Sequence, residues 1–179
     1  VHAVSASMTI FLITSTQAAN IGTLAFHSQS TEILNVTMPI TAPAITLLSD
    51  SGICILASIT TTVGDLALNA DSDSATSSRN DVTLSAGVQL VAAGSLGIQA
   101  SGGMSMHTSC TLVADRGIVL DAVMNVTGSG GFVVNADSQG DGAGALVIGE
   151  YSDWNLPQAD TVTVTASDVH LWSNINCSS

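Results

Sequence analysis

Asp137 and Asp141 stand in the stretch DSQGDG, and Asp71 and Asp73 in DSDSATSSRND. Carboxylates packed this closely among serines and glycines are the donors from which a calcium loop is built, because the ion gathers oxygen ligands in a flexible shell. The helix-flanked version of such a loop closes on a bidentate acid at its twelfth position. Counted from Asp137, the third position is Gln139, the fifth is Asp141 and the twelfth is Ile148, so the closing acid is missing. The tandem glycine-aspartate nonapeptides of calcium-binding solenoids are absent as well. The same residue types also make turns in which an Asx side chain accepts hydrogen bonds from the backbone just ahead of it. Both loops therefore read first as corners of a β-structure. Asp137, Asp141, Asp71 and Asp73 are the calcium candidates, and no other cofactor is expected.

Hydrolase or lyase chemistry needs clustered acids, usually with a basic group that stabilises developing charge. The chain has no lysine, and Arg79 and Arg116 are its only strongly basic residues. Arg116 follows Asp115 in ADRG, with Asp121 shortly after, a trio that reads as a corner salt bridge before it reads as a site. No GxSxG elbow occurs, and His2, His27, His107 and His170 are scattered. His107 and His170 fall at outward places of alternating segments, where a solvated side chain is expected. An enzyme is not expected.

Recognition more naturally uses aromatic anchors. The tyrosine and both tryptophans lie late, Tyr151 and Trp154 in GEYSDWNLPQAD and then Trp172, and they make up the expected contact surface. Three N-x-S/T sequons, at Asn35, Asn125 and Asn176, are glycan acceptors in a secretory pathway. Cys54, Cys110 and Cys177 lack the spacing of a zinc site. Cys54, in GICILAS, reads as a small buried hydrophobe, and Cys177 as a thiol able to pair with another chain.

Composition narrows the classes further. Fourteen acids against two arginines give a net charge of −12. That balance excludes nucleic acid, which is held through Lys and Arg on phosphates, and anionic membrane surfaces. Charged residues are 9% of the chain, against about 25% in an ordinary domain; Ser, Thr, Asn and Gly take their place, so the surface is one of hydroxyls and amides. The hydrophobic share is 46%, yet apolar runs such as MTIFLI (8–13) fall far short of the roughly 20 residues that span a bilayer. That run reads as a strand, and no membrane span is expected. Sequons and the absence of lysine point to an extracellular or cell-surface location.

The elements that must carry these groups are short and of one kind. Apolar-x-apolar triplets followed by small residues recur as GTLAF, GICILAS, GDLALNA, DVTLSA, GSLGIQA, RGIVLDA, GGFVVNA, GALVIG and DTVTVTA. Period-2 alternation of this sort is a strand signal, and nothing sustains a helical period. The tetrapeptide Asn-Ala-Asp-Ser occurs at 69–72 and again at 135–138, a spacing that fits three turns of about 22 residues in a solenoid. Low aromatic content disfavours a sandwich or closed barrel. The expected fold is all-β: a right-handed parallel β-solenoid (β-helix) of about 20–22 residues per turn with almost no helix. Residues 1–63 are expected as irregular turns or a cap, and 64–179 as the regular coil, with a loop insertion near 149–160. Inward positions are expected at Leu66, Leu68, Leu96, Ile98, Ile118, Leu120, Phe132, Val134, Leu146, Ile148, Val162 and Val164.

GDLALNADSD, DVTLSAGVQLVAAGSLGIQAS and DTVTVTASDVHLWSNIN resemble the repeats of filamentous-haemagglutinin-like and autotransporter-like secreted proteins, and of very large cell-surface proteins of aquatic microbes. The resemblance covers roughly residues 64 to 172. It implies the solenoid fold and a role as stalk, fibre or adhesive surface. The implied partners are copies of the chain or flanking solenoid modules joined end to end. Glycans are the partners of the alternative reading, a carbohydrate-binding or carbohydrate-cleaving surface domain.

Overall fold

The computed structural model describes residues 2–3, 9–10, 22–29, 31–75, 79–107, 109–150, 152–156 and 159–176, and in them every regular element is a β-strand. One turn shows the plan. Leu96–Gln99 belongs to the first face, Gly103–His107 to the second and Thr111–Ala114 to the third; Gly117–Asp121 then returns to the first face on top of Leu96–Gln99. The result is a parallel β-solenoid. Three sheets run along it, of 8, 8 and 6 strands, each strand pairing with the third strand before it and the third after it in sequence. The first sheet runs from His2–Ala3 to Asp168–Leu171, the second from Thr9–Ile10 to Ile175–Asn176, the third from Ile40–Ala42 to Ala159–Thr165.

Alternation decides which side chains enter. Successive residues of a strand point to opposite faces, so each short strand contributes one to three inward apolar groups and as many small outward ones. Leu66 pairs with Leu96, Leu96 with Ile118 and Ile118 with Leu146. Parallel registry thus stacks like on like into columns, and all ten expected inward residues from Leu66 to Ile148 are buried. The pattern begins well before residue 64: Leu24–Ser28, Leu34–Val36, Ile40–Ala42 and Ile45–Ser49 lie in the same three sheets and bury their alternate residues. Val162 is partly buried against the core, while Val164 is exposed. Both belong to the last described strand of the third sheet, where no further strand covers them.

The turns are not uniform. Leu90 pairs with Leu112 and Leu112 with Val134, the expected 22 residues. Asn69 and Gln99, however, are neighbours across 30 residues, and so are Asn125 and Asn155. The surplus sits in two expanded corners, 70–80 between first and second faces and 136–144 between third and first. The two Asn-Ala-Asp-Ser copies open these two corners. Asn69 ends a strand of the first sheet and Asn135 one of the third, so the copies do not lie on one corner three turns apart. The extra residues in each expanded turn shift the phase, which the simple spacing concealed. The region near 149–160 contains an ordinary strand of the coil, Trp154–Asn155.

Close approach fixes two glycines. A Cβ at Gly144 would lie 1.7 Å from the Ala136 carbonyl oxygen, where the second expanded corner closes on its own start. Gly52 has φ of +103° and would meet the Arg79 oxygen at 2.5 Å, where the first one returns. Gly97, by contrast, sits in a strand with nothing within 4 Å of its missing Cβ. Gly144→Ala should cost roughly 3 kcal/mol or more through backbone overlap, a fall of about 6–12 °C in Tm for a domain of this size. Gly97→Ala should leave Tm unchanged or raise it by a degree or two. Thermal melts followed by circular dichroism compare the two; equal effects would refute this account of the corner.

Candidate functional site

The expanded corners bring polar side chains together, and the repeated tetrapeptide explains how. At the first, the Asp71 N–H donates to Asn69 Oδ1 at 2.9 Å; at the second, the Asp137 N–H donates to Asn135 Oδ1 at 3.2 Å. The alanine between them is buried in both, and its N–H donates to the following turn, Ala70 to Gln99 O and Ala136 to Thr165 O. The serine reaches the preceding turn: Ser72 N–H donates to Ser49 O and Ser138 N–H to Ala114 O. Ser72 Oγ donates to Asp50 Oδ1, and Ser138 Oγ to Asp115 Oδ1. One sequence thus performs the same operation at two different corners. It ties a departing strand to the turns above and below before the chain leaves the coil.

Beyond the tetrapeptide the two loops differ. Asp137 is buried, and its carboxylate accepts from the loop's own amides, Oδ1 from Asp141 N–H at 3.2 Å and Oδ2 from Gly142 N–H at 3.1 Å. Asp141 Oδ1 accepts from Ala143 N–H. These are the bonds of an Asx-built turn. In the first loop Asp73 Oδ1 accepts from Ala75 N–H, while Asp71 Oδ1 is buried without a partner. Asp71 lines a hollow of about 300 Å³ with Ser74, Gln99, Ser101 and Asp121. Among the described residues no group of three or more His, Cys, Asp or Glu side chains gathers as a metal site would require.

The acid–base groups are held in bridges between turns. Asp115 accepts from Ser138 Oγ and, through Oδ2, from Gln139 Nε2 at 2.7 Å. The expected salt bridge with Arg116 is therefore not formed; Arg116 is exposed, and no ion pair joins it to Asp115 or Asp121 among the described residues. His27, Asp50 and Ser72 do meet, a juxtaposition that sequence spacing gave no sign of. His27 Nε2 lies 3.1 Å from Ser72 Oγ and 3.4 Å from Asp50 Oδ1. A Ser-His-Asp relay needs the serine on one ring nitrogen and the carboxylate on the other. Here both approach Nε2 and the serine hydroxyl donates to the carboxylate, while the Ser72 N–H is spent on Ser49 O. The cluster works as a clasp between turns. His107 and His170 are exposed, and His170 Nε2 lies 3.2 Å from Asp168 Oδ2.

The expected aromatic surface loses Trp154. Trp154 is 1% exposed, stacks in register on Met124 and packs against Phe132 with ring centroids 5.8 Å apart. It points inward because it continues a period-2 run, Ser152, Trp154 and Leu156, all buried. Trp172 is 68% exposed; Tyr151 and Cys177 lie outside the described residues. On the side of the coil a shallow groove of about 420 Å³ runs over Ala67 and Gly97, with Leu48 and Val119 as walls and Asn69, Gln99 and Asp121 at its rim.

Registry also discloses an amide column. Asn35, Cys54, Thr83, Ser105, Asn125, Asn155 and Asn176 pair in succession on the outside of the second sheet, so all three sequon asparagines share one column. Cys54 is accordingly a half-buried outward residue rather than a core one. Cys110 is the buried thiol, donating to Ser85 O at 3.2 Å. Burial pushes both thiols above their usual pKa, with the negative charge of Asp81 adding to the rise at Cys54.

Comparison with known proteins finds no counterpart: no family model, no curated protein and no solved structure matches the chain.

Two predictions follow from these bonds. Chelator should leave Tm within about a degree, whereas Asp137→Ala, which removes two charge-assisted bonds, should lower stability by roughly 2–4 kcal/mol; a large chelator effect that moderate salt does not suppress would overturn the turn assignment. The thiols give a pH dependence of definite sign. A raised folded-state pKa means that their contribution is complete below the unfolded value and is lost as pH climbs through the folded one. Urea melts from pH 7 to 10 should show stability falling at the alkaline end, and Cys110→Ala should flatten that slope; an unchanged slope would refute the assignment.

Proposed function

We propose that this chain is a structural segment of an extracellular filament, appendage or adhesive cell-surface protein, a β-solenoid rod that works through its stiffness rather than through catalysis. The observation that carries this reading is the unbroken stacking of three parallel sheets around one continuous apolar core, in which even the last described turn keeps the inward register. Val164, Val169, Leu171 and Ile175 are 41%, 44%, 48% and 45% exposed. They pair with Val134, Leu146, Ile148 and Trp154, every one of which is at most 1% exposed. The four thus occupy inward positions covered from one side only.

Other features support the same reading. The acidic, lysine-free surface suits an extracellular setting, and the resemblance of residues 64 to 172 to haemagglutinin-like and autotransporter-like repeats suits a stalk or fibre. The side groove supports a second reading, a carbohydrate-binding or carbohydrate-cleaving surface, since it sets amides and Asp121 beside an apolar floor. It has no aromatic platform, so the structural reading is preferred.

Negative-stain microscopy of the purified chain at rising concentration, run beside glycan-array binding and reducing-sugar release, separates the two. Elongated particles with silent glycan assays are expected. A monodisperse monomer at high concentration, or sugar release lost in Asp121→Asn, would defeat the proposal.

A further inference from the structure

We infer that the outer face of the first sheet docks a basic side chain of a partner protein, an arginine in preference to a lysine. Its aliphatic stem lies in the groove over Ala67 and Gly97, and its charged head reaches the hollow at Asp71 and Asp121. The inference rests on the structural reading above and names the chemistry to which its adhesive side would bind.

Registry builds the recess. Thr46, Ala67, Gly97 and Val119 pair in succession on the outside of the first sheet, and beside them Leu48, Asn69, Gln99 and Asp121 do the same. Ala67 and Gly97 have almost no side chain, so the surface dips there between Leu48 and Val119. Nothing lies within 4 Å of the missing Cβ of Gly97, so the space above the strand is open. Gln99 and Asp121 line both this groove and the hollow at the neighbouring corner. Groove and hollow therefore meet, apolar at one end and acidic at the other.

The acidic end selects the occupant. Neither Asp71 nor Asp121 carries an ion pair among the described residues, and Asp71 Oδ1 has no hydrogen-bond partner. Gln99 Oε1 accepts from Asn69 Nδ2 at 3.2 Å, so the two rim amides serve each other and leave the carboxylates to other donors. Asp50, Asp73, Glu150 and Asp153 lie on the same corner, between the first sheet and the second, where Arg79 is the only basic residue among the described ones. Such a field turns anions away and concentrates cations. A long basic side chain lays its methylene stem on apolar surface while its head keeps polar contact, which is the pattern of this recess. A guanidinium is favoured because it offers five donors in a planar fork and is less strongly hydrated than an ammonium. The chain has no lysine and only two arginines, one of them on this acidic corner already, so the fitting occupant is a different protein.

The probe is a capped heptapeptide with one central arginine among glycines and serines, titrated into the full chain and followed by amide chemical shifts. About 0.15 M salt screens diffuse attraction to the acidic surface. Saturable shifts confined to residues 67–74, 97–101 and 119–123 are expected. Replacing the arginine by citrulline, which keeps the stem and removes the charge, should raise Kd about tenfold or more, as should Asp121→Asn, the loss of one charge-assisted bond. Gly97→Val fills the floor and should raise Kd several-fold with Tm unchanged. Asp168→Asn removes the same charge from another corner and should leave Kd unmoved. Equal binding of the citrulline peptide, equal weakening by Asp168→Asn, indifference to Gly97→Val, or no shifts at all would overturn the docking site and leave the rod standing. Binding strengthened by Arg116→Gln would show a second copy's arginine already in the groove and would overturn the foreign partner. Compact particles that still bind the arginine peptide would sink the rod and spare the site.

Discussion

Each strand of this coil gives its backbone hydrogen bonds to the turns below and above and almost none to its neighbours in sequence. Every other feature follows from that parallel, in-register stacking. Registry puts each inward side chain over another of its kind, so the columns of Leu24 and Phe26 continue through Ile45 and Leu47, then Leu66 and Leu68, to Leu96 and Ile98 without a break. Corners have no such obligation. They need only return the chain to the next face, which is why some are two residues long and others nine or eleven.

This division marks what a reader of the sequence can and cannot see. The apolar triplets are legible because alternation is a consequence of strand geometry, and LAL, LGI and IVL sort their side chains in and out wherever they stand. Phase is another matter. The two Asn-Ala-Asp-Ser copies suggested one corner revisited, whereas corner lengths vary freely and the copies fall on different corners. Trp154 misled for a related reason: GEYSDWN has the polarity of a loop, and the alternation of Ser152, Trp154 and Leu156 is masked by a serine in an inward place. The meeting of His27, Asp50 and Ser72, and the single column shared by Asn35, Asn125 and Asn176, depend on the sum of several corner lengths. No local pattern records that sum.

The side of the coil is built from small outward residues and braced corners. Its outward residues are small, so they form a nearly flat face. Asp50, Asp115 and Asp137 accept hydrogen bonds from serine hydroxyls, a glutamine amide and backbone N–H groups, whereas Asp71 Oδ1 stays without a partner. A carboxylate bound in this way braces the turns it joins.

The tetrapeptide at the expanded corners has a consequence for how such a chain varies over time. Its asparagine, alanine and serine fasten the exit of the loop to both neighbouring turns, so the coil stays registered whatever the loop does between its exit and its return. Gln139, Asn80 and Gly144 remain tied to the coil, through Asp115, Gly102 and Ala136. Substitutions confined to the other loop residues after Ser72 and Ser138 would leave the register of the rod intact.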